Sequence, residues 1–215
     1  MANKDLAHIR LEYSREELSE EHVDQDPFVQ FGLWMDEAIA AEVPEPTAMC
    51  LSTASKDGRP SSRMVLLKGF DQDGFVFYTN YNSHKGRELA ENPYAALTFF
   101  WPELERQVRI AGSTSKVSAE ESDQYFSSRP YTSRLGAWAS DQSEPIESKT
   151  VLVTKAAKLA ITYATGSVPR PPHWGGYRVV PDTIEFWQGR PSRLHDRIVF
   201  ERTDSDNWSI TRLSP

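Results

Sequence analysis

At 215 residues, with 24 Lys+Arg against 31 Asp+Glu, the chain carries a formal net charge of −7 and suffices for one large domain or two small ones. That balance argues against a general nucleic-acid or membrane-surface binder, and the single cysteine, Cys50, excludes an internal disulfide. No apolar run approaches membrane-spanning length and the N-terminus has no signal-peptide core, so a cytoplasmic protein without membrane contact is expected. Residues 1–25 are polar and read as a mobile N-terminal arm, with a short helix around Leu6 to Arg10 and a contact from Arg10-Leu11-Glu12-Tyr13. Asp26-Pro27 is a helix start, N-cap followed by first-turn proline. Phe28, Phe31, Trp34, Met35, Ala38 and Ile39 then recur at helical spacing as a core stripe, ended by Pro44 and Pro46.

A β-rich region follows. Strands are expected at Thr47 to Ala54, Ser61 to Phe70 and Phe75 to Asn80, separated by Lys56-Asp57-Gly58-Arg59-Pro60 and Asp71-Gln72-Asp73-Gly74. Cys50 sits in the apolar run Ala48-Met49-Cys50-Leu51 and reads as a buried small hydrophobe. Ser83 caps a helix to Asn92, and Tyr94 to Trp101 and Arg106 to Lys116 make two more strands. Short strands and tight turns point to an antiparallel barrel or sandwich. Helices come next: one opened by the capping box Ser118-Ala119-Glu120-Glu121 and running to about Ser128, one at Tyr131 to Trp138, and one from Ser148 to about Ala164. Strands return at Tyr177 to Val180, Thr183 to Trp187, Ile198 to Arg202 and Trp208 to Leu213.

Several chemistries find no support. The histidines at 8, 22, 84, 173 and 195 lack zinc spacing with one another or with cysteine. There is no nucleophile elbow, Walker loop or dinucleotide fingerprint. What remains is a set of anion donors. The stretch Glu185 to Arg197 ends a strand in Phe186-Trp187, turns at Gly189-Arg190-Pro191 and delivers Arg193, His195 and Arg197. Arginine offers a planar fork to phosphate and histidine exchanges a proton near neutrality; a β-hairpin with a solvated basic turn is the plain alternative. Arg63 and Lys68 bracket an apolar strand. Ser83-His84-Lys85 opens a helix, whose free N–H groups favour an anion. Tyr125, Arg129 and Ser133 recur at steps of four, one helical face if the helix passed through Pro130. Gln107, Gln142 and Ser143 add neutral partners. Each set alone has a plain explanation in surface charge, caps or turns. Arg63 and Lys68, five apart, point to opposite faces of a regular strand, which implies a bulge, two ligands or two sides of an interface.

The ordered motifs Arg63-Met64-Val65-Leu66-Leu67-Lys68, Phe77-Tyr78-Thr79-Asn80, Glu105-Arg106-Gln107-Val108, Tyr125-Phe126-Ser127-Ser128-Arg129-Pro130, Gly136-Ala137-Trp138, Trp174-Gly175-Gly176, Phe186-Trp187-Gln188-Gly189 and Arg193-Leu194-His195-Asp196-Arg197 closely resemble the pyridoxamine/pyridoxine 5′-phosphate oxidase family. The match runs from about Asp26 to the C-terminus. The resemblance implies a mainly β fold, an FMN-binding split β-barrel with flanking helices. It implies one such domain over 26–215, whose C-terminal strands from about 174 carry dimer and active-site residues. It implies a homodimer with FMN at the interface, oxidising pyridoxine or pyridoxamine 5′-phosphate to pyridoxal 5′-phosphate while O2 becomes H2O2. The cofactor set implied is Arg63, Met64, Val65, Leu66, Leu67, Lys68, Tyr78, Thr79, His84, Lys85, Gln107, Gln142, Ser143, Trp187 and Arg197. The substrate set implied is Lys68, Tyr125, Arg129, Ser133, Arg193, Leu194 and His195, with Arg193 and His195 over the reacting ring as catalytic residues. No metal is expected.

His84 stands where the family commonly has arginine, which makes the charge there pH-dependent. Leu11 replaces a common arginine in the arm, and Arg134-Leu135 replaces Gln-Ile beside Ser133. An NAD(P)H-dependent flavin reductase of the same barrel type, or a non-catalytic flavin or pyridoxal phosphate carrier, are the rival readings. The first needs no Tyr125/Arg129/Ser133 set; the second predicts bound ligand without peroxide.

Overall fold

A computed structural model describes Tyr13, residues 17–204 and residues 207–215. The helix expected near Leu6 to Arg10, and the Arg10 to Tyr13 contact apart from Tyr13 itself, lie outside the described residues. The first described helix, α1 (Pro27–Ala40), begins as the sequence dictates: the Asp26 side chain accepts the Phe28 N–H at 2.8 Å and proline fills the first turn. Phe28, Phe31, Trp34, Met35 and Ala38 are buried, whereas Ile39 is exposed. The helix stops at Ala40, before the prolines.

The strands are β1 (Ala48–Ala54), β2 (Pro60–Leu66), β3 (Gly69–Asp71), β4 (Gly74–Asn80), β5 (Tyr94–Trp101), β6 (Arg106–Lys116), β7 (Trp174–Gln188), β8 (Asp196–Arg202) and β9 (Trp208–Arg212). The remaining helices are α2 (His84–Glu91), α3 (Ala119–Ser128), α4 (Tyr131–Ala139) and α5 (Lys149–Thr162). The sheet order is β2-β1-β5-β6-β7-β4-β3, with β8 on β7 and β9 on β8. The fold is thus mainly β with flanking helices. The chain forms two compact units. Unit 1 comprises the described residues of Met1–Thr47 with Thr98–Ile110 and Asp182–Pro215; unit 2 comprises Ala48–Leu97 and Ala111–Pro181.

Unit 1 packs aromatic residues under α1. Phe31 meets Phe99 at 5.2 Å, Trp34 meets Phe186 edge-on at 5.2 Å, and Phe186 meets Phe200 at 5.6 Å between ring centres. Such pairs add about 0.5–1.5 kcal/mol beyond their burial. The segment before α1 is attached to this unit: Leu18 and Val23 are buried, and the Leu18 N–H donates to Asp196.

Unit 2 contains two corrections to the strand reading. Ser61 to Phe70 is not one strand. β2 pairs with β1 only as far as Leu66 opposite Ala48, and the chain then changes partner, with the Lys68 N–H donating to Val76 O at 2.8 Å beside the β3–β4 hairpin. The Arg63/Lys68 parity conflict disappears because Lys68 lies beyond the end of β2. Conversely, the strands expected at Tyr177 to Val180 and Thr183 to Trp187 are one, β7, which runs through Pro181. It pairs with β4 through its first half, from Asn80 opposite Trp174 to Phe75 opposite Val179.

Candidate active site

Unit 2 holds a cavity of about 800 Å³. The end of β2 contributes Met64, Val65 and Leu66; Lys68 follows; β4 brings Tyr78, Thr79 and Asn80; α2 brings Lys85; and Gln142 comes from the loop after α4. The α3–α4 corner adds Tyr125, Ser128, Arg129, Pro130 and Ser133. Eleven of the residues assigned from sequence therefore meet here: Met64, Val65, Leu66, Lys68, Tyr78, Thr79, Lys85, Tyr125, Arg129, Ser133 and Gln142.

The corner forms differently from the continuous helical face considered above. α3 ends at Ser128, and Arg129 is extended (φ −71°, ψ 148°) because the following Pro130 disfavours a helical conformation. α4 restarts at Tyr131. The corner still delivers Tyr125, Arg129 and Ser133 to one cavity.

Among the described residues no acid is ion-paired with either of two cations here, the buried Lys85 and the half-buried Arg129. Lys85 is buried, and its Nζ reaches Thr79 Oγ1 at 3.2 Å and Ser83 Oγ at 3.5 Å. Burial, and then the nearby charge of Arg63, lower its pKa. Arg129 lies against Trp174, 4.6 Å from guanidinium carbon to ring centre, with a buried Nη1 that has no hydrogen-bond partner among the described residues. Burial lowers its pKa as well, against the opposing pull of Tyr125. Tyr78 and Tyr125 stack at 3.9 Å, both parallel to Trp174. Burial raises the Tyr125 hydroxyl, so it remains a donor near neutrality, and burial with Glu121 pushes Tyr78 up to about 12. The cavity thus offers anion donors beside flat rings.

Other assigned residues of unit 2 do not line the cavity. Leu67 is buried. Arg63 donates to Thr53 Oγ1 and Ser61 Oγ, both at 2.5 Å, and pairs with Glu88 at 3.3 Å. His84 is largely exposed, pairs with the same Glu88 at 3.2 Å, and donates its backbone N–H to Ser143 Oγ. Thr79 Oγ1 donates to Gln142 Oε1 at 3.3 Å, which fixes one wall.

The remainder belong to unit 1. The β7–β8 hairpin pairs Trp187 with Arg197, so the hairpin reading of this stretch holds. Its loop is exposed and strained: a 3-10 turn at Pro191–Arg193 places Ser192 and Arg193 at φ 56° and 63°, a region costly for residues with a Cβ. Arg193 and Leu194 are exposed. His195 packs at 4.6 Å from Trp187, and its Nδ1 accepts the Arg190 N–H at 3.1 Å. Burial and the neighbouring Arg193 charge lower its pKa. With Nδ1 accepting, the neutral ring carries its proton on Nε2. Arg197 is bound bidentately by Glu185 at 2.7 and 3.0 Å, while Gln107 accepts from Arg109. Tyr13 stands edge-on to Trp187 and covers Gly189, where a Cβ would meet its ring at 2.7 Å.

Sequence reasoning assigned no site role to Asn80 or Trp174, although both stood in quoted motifs. Their signal was register: β4 pairs them directly, at the end of a strand already carrying Tyr78 and Thr79.

The sheet and its flanking helices define a split β-barrel protein. Residues 35–163 match the family model described as pyridoxamine 5′-phosphate oxidase, and residues 174–215 match that of the pyridoxine 5′-phosphate oxidase C-terminal dimerisation region. The chain belongs to the pyridoxine/pyridoxamine 5′-phosphate oxidase family, a family of oxidoreductases. Curated relatives of that name include one from Chromobacterium violaceum, 61% identical over 98% of both chains, and one from Nostoc punctiforme, 59% identical over 99% of this chain and 100% of the relative. Among solved structures, PhzG from Burkholderia lata 383, in complex with tetrahydrophenazine-1-carboxylic acid, superposes with a TM-score of 0.87 at 34% identity, covering 94% of this chain and 100% of that one. An FMN-binding protein from Nostoc punctiforme, 17% identical with a TM-score of 0.68 over 85% of this chain and 95% of that one, shares the fold. Among the described residues, no helix is long and apolar enough to cross a membrane.

Proposed function

We propose that the chain is an FMN-dependent oxidase that converts pyridoxine 5′-phosphate or pyridoxamine 5′-phosphate to pyridoxal 5′-phosphate, reducing O2 to H2O2, and that it works as a homodimer in the cytoplasm. The observation carrying this reading is the cavity lined together by Arg129, Tyr125, Ser133 and Lys68, in which Arg129 has no ion-pair partner among the described residues. That set suits a phosphate dianion, each charge-assisted hydrogen bond contributing about 1.5–3 kcal/mol. Lys85, Thr79 and Gln142 suit a second anionic or polar group, so the donors fit a phosphorylated flavin together with a phosphorylated substrate. Lys85, Thr79, Tyr78, Gln142 and the β2 end from Met64 to Lys68 would hold FMN here, with Arg63 and His84 close by. Gln107, Trp187 and Arg197 of the partner protomer would complete the cofactor site. FMN supplies hydride acceptance and reoxidation by O2.

The chain's own groups do the positioning. Arg129, Tyr125, Ser133 and Lys68 fix the substrate phosphate, so the ring is held at one end. His195, neutral with a proton on Nε2, orients the ring as a donor, and Arg193 adds positive charge beside it. The match of residues 174–215 to a dimerisation region supports placing the Arg193–His195 loop of one protomer over the partner's cavity. Tyr13 meets Trp187 and His195 edge-on, beside that loop. The similarity to PhzG favours a second reading, oxidation of a carboxylate-bearing ring without phosphate.

The test is direct. The purified protein should show a yellow flavin spectrum and, given pyridoxine 5′-phosphate in air, form aldehyde and peroxide in equal amounts. Turnover of unphosphorylated pyridoxine at the same efficiency, or flavin without aldehyde, would overturn the reading. Co-expressed Arg129→Ala and His195→Ala chains should recover activity that neither has alone; no recovery would refute the shared site.

A further inference from the structure

Arg129 sets a physical requirement. A long side chain loses rotamer entropy when it is fixed, and a carboxylate is a common means of fixing it, as Glu185 fixes Arg197. A carboxylate on Arg129 would cancel the charge that an incoming phosphate needs. This chain holds Arg129 against rings instead: Trp174 at 4.6 Å and Phe126 at 5.7 Å. An aromatic face attracts a cation through its quadrupole without supplying a counter-charge.

Trp174 is itself immobilised from several directions. Its N–H donates to Pro171 O at 3.1 Å. Its carbonyl accepts from Arg170 Nη1 at 2.7 Å, and Arg170 is tied in turn to Asp123 at 2.6 Å. The next residue, Gly175, is so close to Tyr81 that a Cβ there would lie 2.1 Å from the phenol oxygen. The indole is buried with Phe126, Leu135 and Val168, and Tyr125 stacks parallel to it at 6.1 Å. A ring with this little freedom defines where the guanidinium rests.

We propose that Trp174 is the positioning residue of the anion site: its ring fixes the Arg129 guanidinium and leaves the positive charge available to a phosphate ester. The proposal rests on the assignment of Arg129 to the substrate phosphate, and Trp174 acts through Arg129.

The test is a double-mutant cycle on the flavin-loaded protein. The probes are 4-deoxypyridoxine 5′-phosphate and its unphosphorylated form, neither of which has an oxidisable C4′ hydroxyl, and the readout is the dissociation constant of each. Trp174→Leu should weaken the phosphorylated probe about tenfold and Trp174→Phe about threefold, both leaving the unphosphorylated probe unchanged. In an Arg129→Ala background, Trp174→Leu should have no further effect. A Trp174→Leu effect that is equal for both probes, or undiminished without Arg129, makes Trp174 a mere wall of the cavity and overturns the proposal. If Arg129→Ala itself leaves the phosphorylated probe unaffected, the phosphate assignment has failed, and the proposal with it. Should Trp174→Leu not fold, Trp174→Phe decides the same cycle: no threefold loss, or a loss that persists without Arg129, overturns it.

Discussion

Around Glu185 in the β7–β8 hairpin of unit 1, and around Arg129 in the cavity of unit 2, guanidinium groups are held in opposite ways. In the hairpin region, Arg197 and Arg109 share Glu185, and Arg212 joins Asp196 to Glu20. Elsewhere in that unit rings are used as well: Arg106 contacts Glu37 and Gln188 and lies 4.4 Å over Trp34, and Arg202 lies 4.5 Å over Trp208. In the cavity, Arg129 rests on aromatic rings, with a buried nitrogen unmatched among the described residues. The hairpin's pairs cross-link strands. The cavity instead keeps a charge partly desolvated and, among the described residues, unpaired, a state that an anion would relieve.

The largest expected effect follows from this difference. Arg129→Ala should weaken 4-deoxypyridoxine 5′-phosphate about 100-fold, the loss of one or two charge-assisted bonds. Thermal stability should hardly change, because the substitution also removes an unsatisfied buried group. A variant that melts far lower while keeping its affinity would show Arg129 to be structural. Glu185→Gln tests the opposite case. It leaves Arg197 and Arg109 without their shared acid, and urea unfolding should register a loss of about 1–3 kcal/mol, discounted for partial exposure. An unchanged midpoint would remove the contrast between the regions.

His195 sharpens the comparison through pH. Its pKa is depressed in the folded chain, so the unfolded chain binds more protons between the folded value and the ordinary value near ~6.5. Stability therefore rises with pH across that window: the contribution is present above about 6.5 and is lost as pH falls below it. Melting temperatures between pH 5 and 7.5 should fall on the acid side less steeply for His195→Gln than for the parent. Parallel curves would mean that the Arg190 N–H to Nδ1 contact is not the sensitive element. The smallest effect is expected at His84, whose pair with Glu88 is exposed on the histidine side. His84→Ala should alter stability by less than about 0.5 kcal/mol. Because Glu88 also holds Arg63, a larger loss would extend the acid-paired pattern to the cavity's edge.

Much of the fold was legible because its causes are local. The Asp26-Pro27 start, the Ser83 and Ser118 caps and the Asp71 to Gly74 turn act over a few residues, and each is found where the sequence puts it. The errors arose where a strand's partner decides its extent. Nothing near Leu67 announces that β2 must end when its pairing with β1 runs out. Pro181 reads as an interruption although β7 passes through it, since proline costs only the hydrogen bond its missing N–H would have made.

For the site, the residue types and their order in the chain were enough to nominate the cavity's donors and the family they resemble. Which donors keep a free charge was not. Arg129 and Arg197 look alike in a sequence, each beside an aromatic-rich motif, yet one folds onto Trp174 and the other onto Glu185. Residue identity sets whether a side chain carries charge; the neighbours that folding brings within a few ångströms decide whether that charge is already spoken for. Coulombic and quadrupolar partners separated by tens of residues meet only in the folded chain, so that decision belongs to the tertiary structure.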